Sequence, residues 1–115
     1  DYGMINSKND EIYINLMHQK LEVCVLSNGE FIFYNLFETK TKEDFLFYIL
    51  YTLNQLNISP NTVSLYAFGD ILNSPNYYET LQKYVRHISF NEADKQLGQY
   101  FTLYKLFECE LFQEH

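Results

Sequence analysis

Asn28-Gly29, set between two runs rich in β-branched and aromatic residues, constrains this chain more than any other feature. A two-residue hairpin turn needs both central residues at positive φ, and Asn-Gly meets that need at little steric cost. The flanking runs must then be antiparallel neighbours. Upstream, Ile12, Ile14 and Leu16 alternate with Tyr13, Asn15 and Met17, the two-residue period of a strand. His18-Gln19 forms a second short turn, after which Leu21, Val23 and Val25 alternate with Glu22, Cys24 and Leu26. Phe31 to Phe37 completes a three-stranded meander. Residues 1–10 are polar and read as a lead-in loop to one domain over 11–115.

At Thr41 the period changes from 2 to 3.6. Thr41-Lys42-Glu43-Asp44 has the form of a capping box with Thr41 as N-cap, predicting a helix from about Lys42 to Asn57. Phe45, Tyr48, Ile49, Thr52, Leu53 and Leu56 form its core stripe. Phe47, Leu50 and Tyr51 form a second apolar patch on another face. Such a patch marks either a helix wedged deep within the domain or a docking face for another domain or chain.

Ser59-Pro60-Asn61 breaks the helix, and Thr62 to Phe68 is a strand ended by Gly69-Asp70. Ser74 as N-cap and Pro75 at the first position open a second helix, striped by Tyr77, Leu81, Tyr84 and Val85. Arg86 to Phe90 reads as a short strand, Asn91 to Gln96 as a loop, and Leu97 to Phe112 as a third helix.

The element order is therefore β-β-β-α-β-α-β-α. Hairpins make the first three strands antiparallel, and each helical crossover is right-handed and joins parallel strands. A mixed α/β sheet in spatial order 3-2-1-4-5, with helices on its two faces, satisfies these rules. That is a ribonuclease-H-like unit, and two copies of it build the superfold of actin, heat-shock chaperones and sugar kinases.

Composition excludes several functions. At 115 residues, 47% apolar and 20% charged, the chain fits one globular domain. Its net charge is −7 and its one Arg is Arg86, so a nucleic-acid partner is not expected: neutralising phosphates takes clustered cations. No uncharged run is long enough for a membrane span, and no signal peptide is visible. Cys24 and Cys109 lack metal-ligand spacing and read as buried thiols in a reducing compartment, the cytoplasm. The chain does not begin with Met, as expected of a fragment or a trimmed product.

Particular stretches carry a resemblance. Asn28-Gly29, Tyr34-Asn35-Leu36-Phe37-Glu38, Glu43 to Leu50, Leu65-Tyr66-Ala67-Phe68-Gly69 and Phe107-Glu108-Cys109-Glu110 together resemble a bacterial family of uncharacterised proteins with an actin-like fold. The match covers most of 11–112 and resembles that family's C-terminal lobe. These motifs are structural landmarks and imply no reaction.

The resemblance does direct attention to nucleotide positions. An actin-like ATPase grips phosphate with a glycine- and Asp-bearing turn in the first hairpin, whose backbone N–H groups cradle the anion. Met17-His18-Gln19-Lys20 has neither residue type, leaving His18 and Lys20 as candidate anion contacts. The adenosine-side motif follows the fourth strand with paired glycines. Here Phe68-Gly69-Asp70-Ile71 has one, so Gly69 and Asp70 complete the candidate ligand set, beside the plainer reading of an ordinary turn.

A ribonuclease-H-type nuclease needs converging carboxylates for two Mg²⁺. The first strand offers Asn15, Glu43 and Asp44 are explained by capping, and Asp70 alone stands at a suitable strand end. His18, His87 and His115 have no partner in a nucleophile motif. No catalytic residue, metal or cofactor is expected. The expected function is a non-catalytic actin-like lobe in protein interaction or assembly, with Phe47, Leu50 and Tyr51 as interface and a missing lobe, a second copy or another protein as partner. The alternative is the second lobe of a two-lobed protein that binds Mg-ATP.

Overall fold

The computed structural model describes residues 9–89. The order is β1 (Asp10–Met17), β2 (Lys20–Ser27), β3 (Glu30–Glu38), α1 (Lys42–Gln55), β4 (Ser64–Gly69), a 3-10 turn (Asp70–Asn73), α2 (Pro75–Gln82) and β5 (His87–Ser89). The strands form one sheet in the order β3-β2-β1-β4-β5. β1 and β2 pair antiparallel, as do β2 and β3, while β1–β4 and β4–β5 are parallel.

Both hairpin turns lie in the left-handed region that two-residue loops require: φ is 50° and 67° at His18 and Gln19, and 53° and 83° at Asn28 and Gly29. Between Val25 and Leu26 the register with β3 shifts, leaving Ile32 as a bulge residue that is 42% exposed.

α1 begins as its sequence dictates. The Asp44 N–H donates to Thr41 Oγ1 at 3.0 Å, and the Thr41 N–H donates back to Asp44 Oδ2 at 3.3 Å. The helix ends at Gln55, two residues before the expected Asn57. Asn57 turns left-handed at φ 59°, with its N–H on Asn54 O, and the Ile58 N–H returns to Leu53 O at 2.9 Å. That is a Schellman motif with Asn in the place glycine usually takes.

α1 and α2 pack on one face of the sheet. There Ile12, Ile14, Leu21, Val23, Val25 and Leu65 meet Phe45, Ile49 and Leu53 of α1, with Leu81 and Val85 closing the core. The Phe45 and Tyr77 rings meet edge to face at 4.9 Å and tie the two helices together. Both crossovers run toward the β5 edge, so right-handedness puts both helices on the same side. The expectation of a helix on the other face rests on Leu97–Phe112. That segment, the Asn91–Gln96 loop, Phe90, Cys109 and most of the lead-in lie outside the described residues.

The opposite face carries Cys24, Leu26 and Phe68, flanked by Tyr13, Phe31, Tyr34 and Tyr66, with Tyr13 stacked on Tyr66 at 4.8 Å. Several expectations change here. β4 begins at Ser64, because the Thr62 and Val63 N–H groups are taken by the Ser59 carbonyl in a turn. The 3-10 turn between β4 and α2 was not foreseen. Ser74 stands at the N-cap of α2 but makes no side-chain capping bond. Tyr84 is 49% exposed rather than in the stripe, since α2 ends at Gln82. β5 starts at His87, the Arg86 N–H being spent on Pro60 O.

The carboxyl-end rim of the sheet as candidate functional site

Parallel β1, β3 and β4 all end on one rim of the sheet, where α/β folds bind ligands. Four of the residues singled out from the sequence stand there, and the β1–β2 turn is its centre. The His18 backbone N–H donates to Asp70 Oδ2 at 3.2 Å, bridging β1 to the exit of β4. On the other side, the Thr39 N–H donates to Gln19 O at 2.8 Å and the Thr39 hydroxyl reaches the same carbonyl at 3.3 Å. The turn is thus tied to the ends of both neighbouring crossovers.

Gly69 owes its place to packing. Its φ is 80°, and a Cβ there would lie 2.4 Å from both Asn15 Oδ1 and Leu16 O. Only glycine lets β4 run this close to β1 at the strand end. Lys20 points elsewhere: its ammonium pairs with Glu38 at 3.5 Å. Both partners are largely exposed, so water screens the pair. His18, Gly69 and Asp70 therefore come together, and Lys20 stands apart.

Two concavities flank the turn. One of about 290 Å³ is lined by Leu16, His18, Asp70, Asn73, Ser74 and Tyr77. The other, about 150 Å³, lies between His18, Lys20, Glu38 and Lys40. Among the described residues no three His, Cys, Asp or Glu side chains converge to hold a metal ion. Asp44 is occupied by the Lys40 and Thr41 N–H groups.

One polar cluster went unnoticed in the sequence. Asn15 and Glu22 are both buried on the sheet face opposite the helices. Asn15 Nδ2 donates to Glu22 Oε1 at 3.1 Å, and the Tyr34 hydroxyl donates to Glu22 Oε2 at 2.5 Å. The two-residue turn at 18–19 already pairs Asn15 with Glu22 by register, a signal that could have found them. Burial, with the Glu22 carboxylate nearby, raises the neighbouring Cys24 thiol to about 12.

The interface candidates divide. Phe47 is 57% exposed and Tyr51 48%, their rings stacked at 5.6 Å, while Leu50 is half-buried. The wedged-helix reading therefore fails for Phe47 and Tyr51: both lie on the side of α1 opposite Phe45, Ile49 and Leu53. No helix among the described residues is long and apolar enough to cross a membrane.

The sheet order is that of an actin-like fold. The family model described as "Protein of unknown function (DUF3822)" matches residues 4–88, and the chain belongs to that family. It is similar in structure to a Bacteroides thetaiotaomicron protein described as having an actin-like ATPase fold and unknown function, with a TM-score of 0.71 and 19% identity. The match covers 89% of this chain and 38% of that one, so the chain spans well under half of its neighbour's length. No curated protein matches it.

Proposed function

We propose that this chain is a non-catalytic actin-like lobe of a longer protein and works by protein interaction. The His18–Asp70 contact carries the reading. In an actin-like ATPase the first hairpin turn offers its backbone N–H groups to phosphate. Here the His18 N–H is given to a carboxylate of the same chain. A phosphate approaching the turn meets that negative charge. Two like unit charges 4 Å apart repel by about 1 kcal/mol in water and several times that where water is thinned out.

The partner we assign to the Phe47–Tyr51 face is the remainder of the longer protein, which the 38% coverage of the structural neighbour supports. A second copy is disfavoured by the net charge of −7 on each chain. The free, buried Cys24 suits the reducing cytoplasm.

Calorimetric titration of this chain with Mg-ATP tests the first part, and micromolar binding overturns it. A photo-crosslinker at position 47 in the full-length protein tests the second. A crosslink within the same chain supports it. A crosslink between copies, or a dimeric mass in light scattering, overturns it.

A second reading, a lobe closing over ATP with another lobe opposite, is favoured by one observation. The 290 Å³ concavity lies at the carboxyl ends of β1 and β4. It requires that Mg-ATP bind the full-length protein and that Asp70→Ala alter that binding.

A further inference from the structure

β3 is an edge of the sheet, bonded to β2 on one side only. Among the described residues it is the longer edge, nine residues against three in β5. The outer side of such a strand carries a row of backbone donors and acceptors that can template pairing with another chain. Edges are commonly blunted by lysine, proline or a bulge. Between Glu30 and Glu38 the strand has no charge and no proline, and its bulge, at Ile32, leaves the second half regular.

The ladder decides which groups of that half face outward. The Thr39 N–H donates to Gln19 O, so position 39 is a bonded one. Bonded and unbonded positions alternate in an antiparallel pair. Phe37 and Asn35 therefore turn their N–H and C=O toward β2, and Leu36 and Glu38 turn theirs away. Leu36 agrees: its N–H donates to Asn35 Oδ1 at 2.8 Å, a local side chain standing in for an absent strand. Asn35 is exposed, so exchanging this bond for the carbonyl of an incoming strand costs little. The side chains point the same way, with Ile32 42% and Leu36 49% exposed.

We propose that the free edge of β3, anchored at Leu36 and Glu38, pairs with an extended segment of a partner protein, β-branched along its middle and basic at its ends. Strand addition of this kind takes its affinity from main-chain bonds and its specificity from side chains. Here the specificity is electrostatic. Glu30 and Glu38 close the two ends of β3. Glu30 has no ion pair among the described residues, and the Lys20–Glu38 pair is exposed and screened by water. A second copy is the wrong occupant. Antiparallel pairing centred on Tyr34 sets the Glu30 of each copy opposite the Glu38 of the other, and like charges directly opposite destabilise. This edge is a different surface from the Phe47–Tyr51 face, and neither assignment depends on the other.

Nuclear magnetic resonance titration of the ¹⁵N-labelled chain tests this. The probe is a capped peptide matching β3 in length, alternating valine and threonine, with lysine at each end. It is expected to shift the Leu36 and Glu38 amides saturably. The same peptide ended in glutamate should bind about fivefold more weakly, as screened charge contacts turned from attraction to repulsion imply. A lysine-ended peptide N-methylated across its central amides should not bind, because it has lost its main-chain donors. On the protein side, Leu36→Pro removes an N–H that β2 does not use, so the sheet is retained and binding should be lost. The N-methylated peptide carries the test should Leu36→Pro disturb folding. No saturable shift, shifts centred away from β3, undiminished binding of the N-methylated peptide, or equal affinity for the glutamate-ended peptide overturns the proposal.

Discussion

The backbone N–H of His18 and the carboxylate of Asp70, 52 positions apart in sequence, are joined by a 3.2 Å hydrogen bond that locks the β1–β2 turn to the end of β4. Asp70 is exposed, so its substitution costs only the net value of the bond, about 0.5–1.5 kcal/mol. Asp70→Ala should lower the unfolding free energy by that amount, read as a lower urea midpoint with an unchanged slope. The Asp70→Asn variant keeps an acceptor and should lose less.

Gly69 and Gly29 have nearly the same positive φ, 80° and 83°, and should respond very differently to alanine. At Gly29 the new Cβ meets nothing within 4 Å, leaving only backbone strain of about 1–2 kcal/mol. At Gly69 it meets Leu16 O, a β-ladder carbonyl that cannot move aside. Gly69→Ala should therefore cost about 3 kcal/mol or more, since overpacking is added to strain. Denaturant melts of the two variants make the comparison.

Phe45 and Phe47 are two residues apart and face opposite ways. Phe45 is fully buried, and Phe45→Ala should cost about 3–5 kcal/mol. Phe47 is 57% exposed, and Phe47→Ser should change the stability of the isolated chain by no more than about 0.5 kcal/mol. On the proposed reading of this face, the same Phe47→Ser change made in the longer protein should lower its melting temperature.

Cys24 tests the second face of the sheet. Its thiol is buried, and burial, aided by the Glu22 carboxylate, lifts its titration from 9.0 to about 12. In a Cys109→Ser background the native chain should resist a thiol reagent at pH 8 and react at once in urea. The sign follows from linkage. Between 9 and about 12 the unfolded chain releases this proton and the folded chain keeps it, so stability is full below pH 9 and declines as pH rises toward 12. Cys24→Ala should flatten that decline.

Much of this architecture was legible because its signals are local. Asn28-Gly29 dictates a hairpin through φ alone, and Thr41 with Asp44 starts α1 through bonds three residues apart. The alternation of Ile12, Ile14 and Leu16 against Asn15 names the core face before any coordinate is known. Right-handed crossovers then leave the order β3-β2-β1-β4-β5. The ends of α1 and β4 were misjudged because backbone groups at Ser59 and Asn57 found partners that side-chain pattern does not encode.

Sequence by itself determined the existence of the strands and of the first helix, since each depends on residue type within a few positions. Tertiary structure alone decided that Asp70 takes the His18 N–H, that Gly69 is held by Asn15 and Leu16, that Glu22 is buried against Asn15 and Tyr34, and that Phe47 faces outward. Those outcomes depend on how the crossovers place distant strand ends beside one another. Contact between residues 52 positions apart is a property of the closed sheet, and no local propensity carries it.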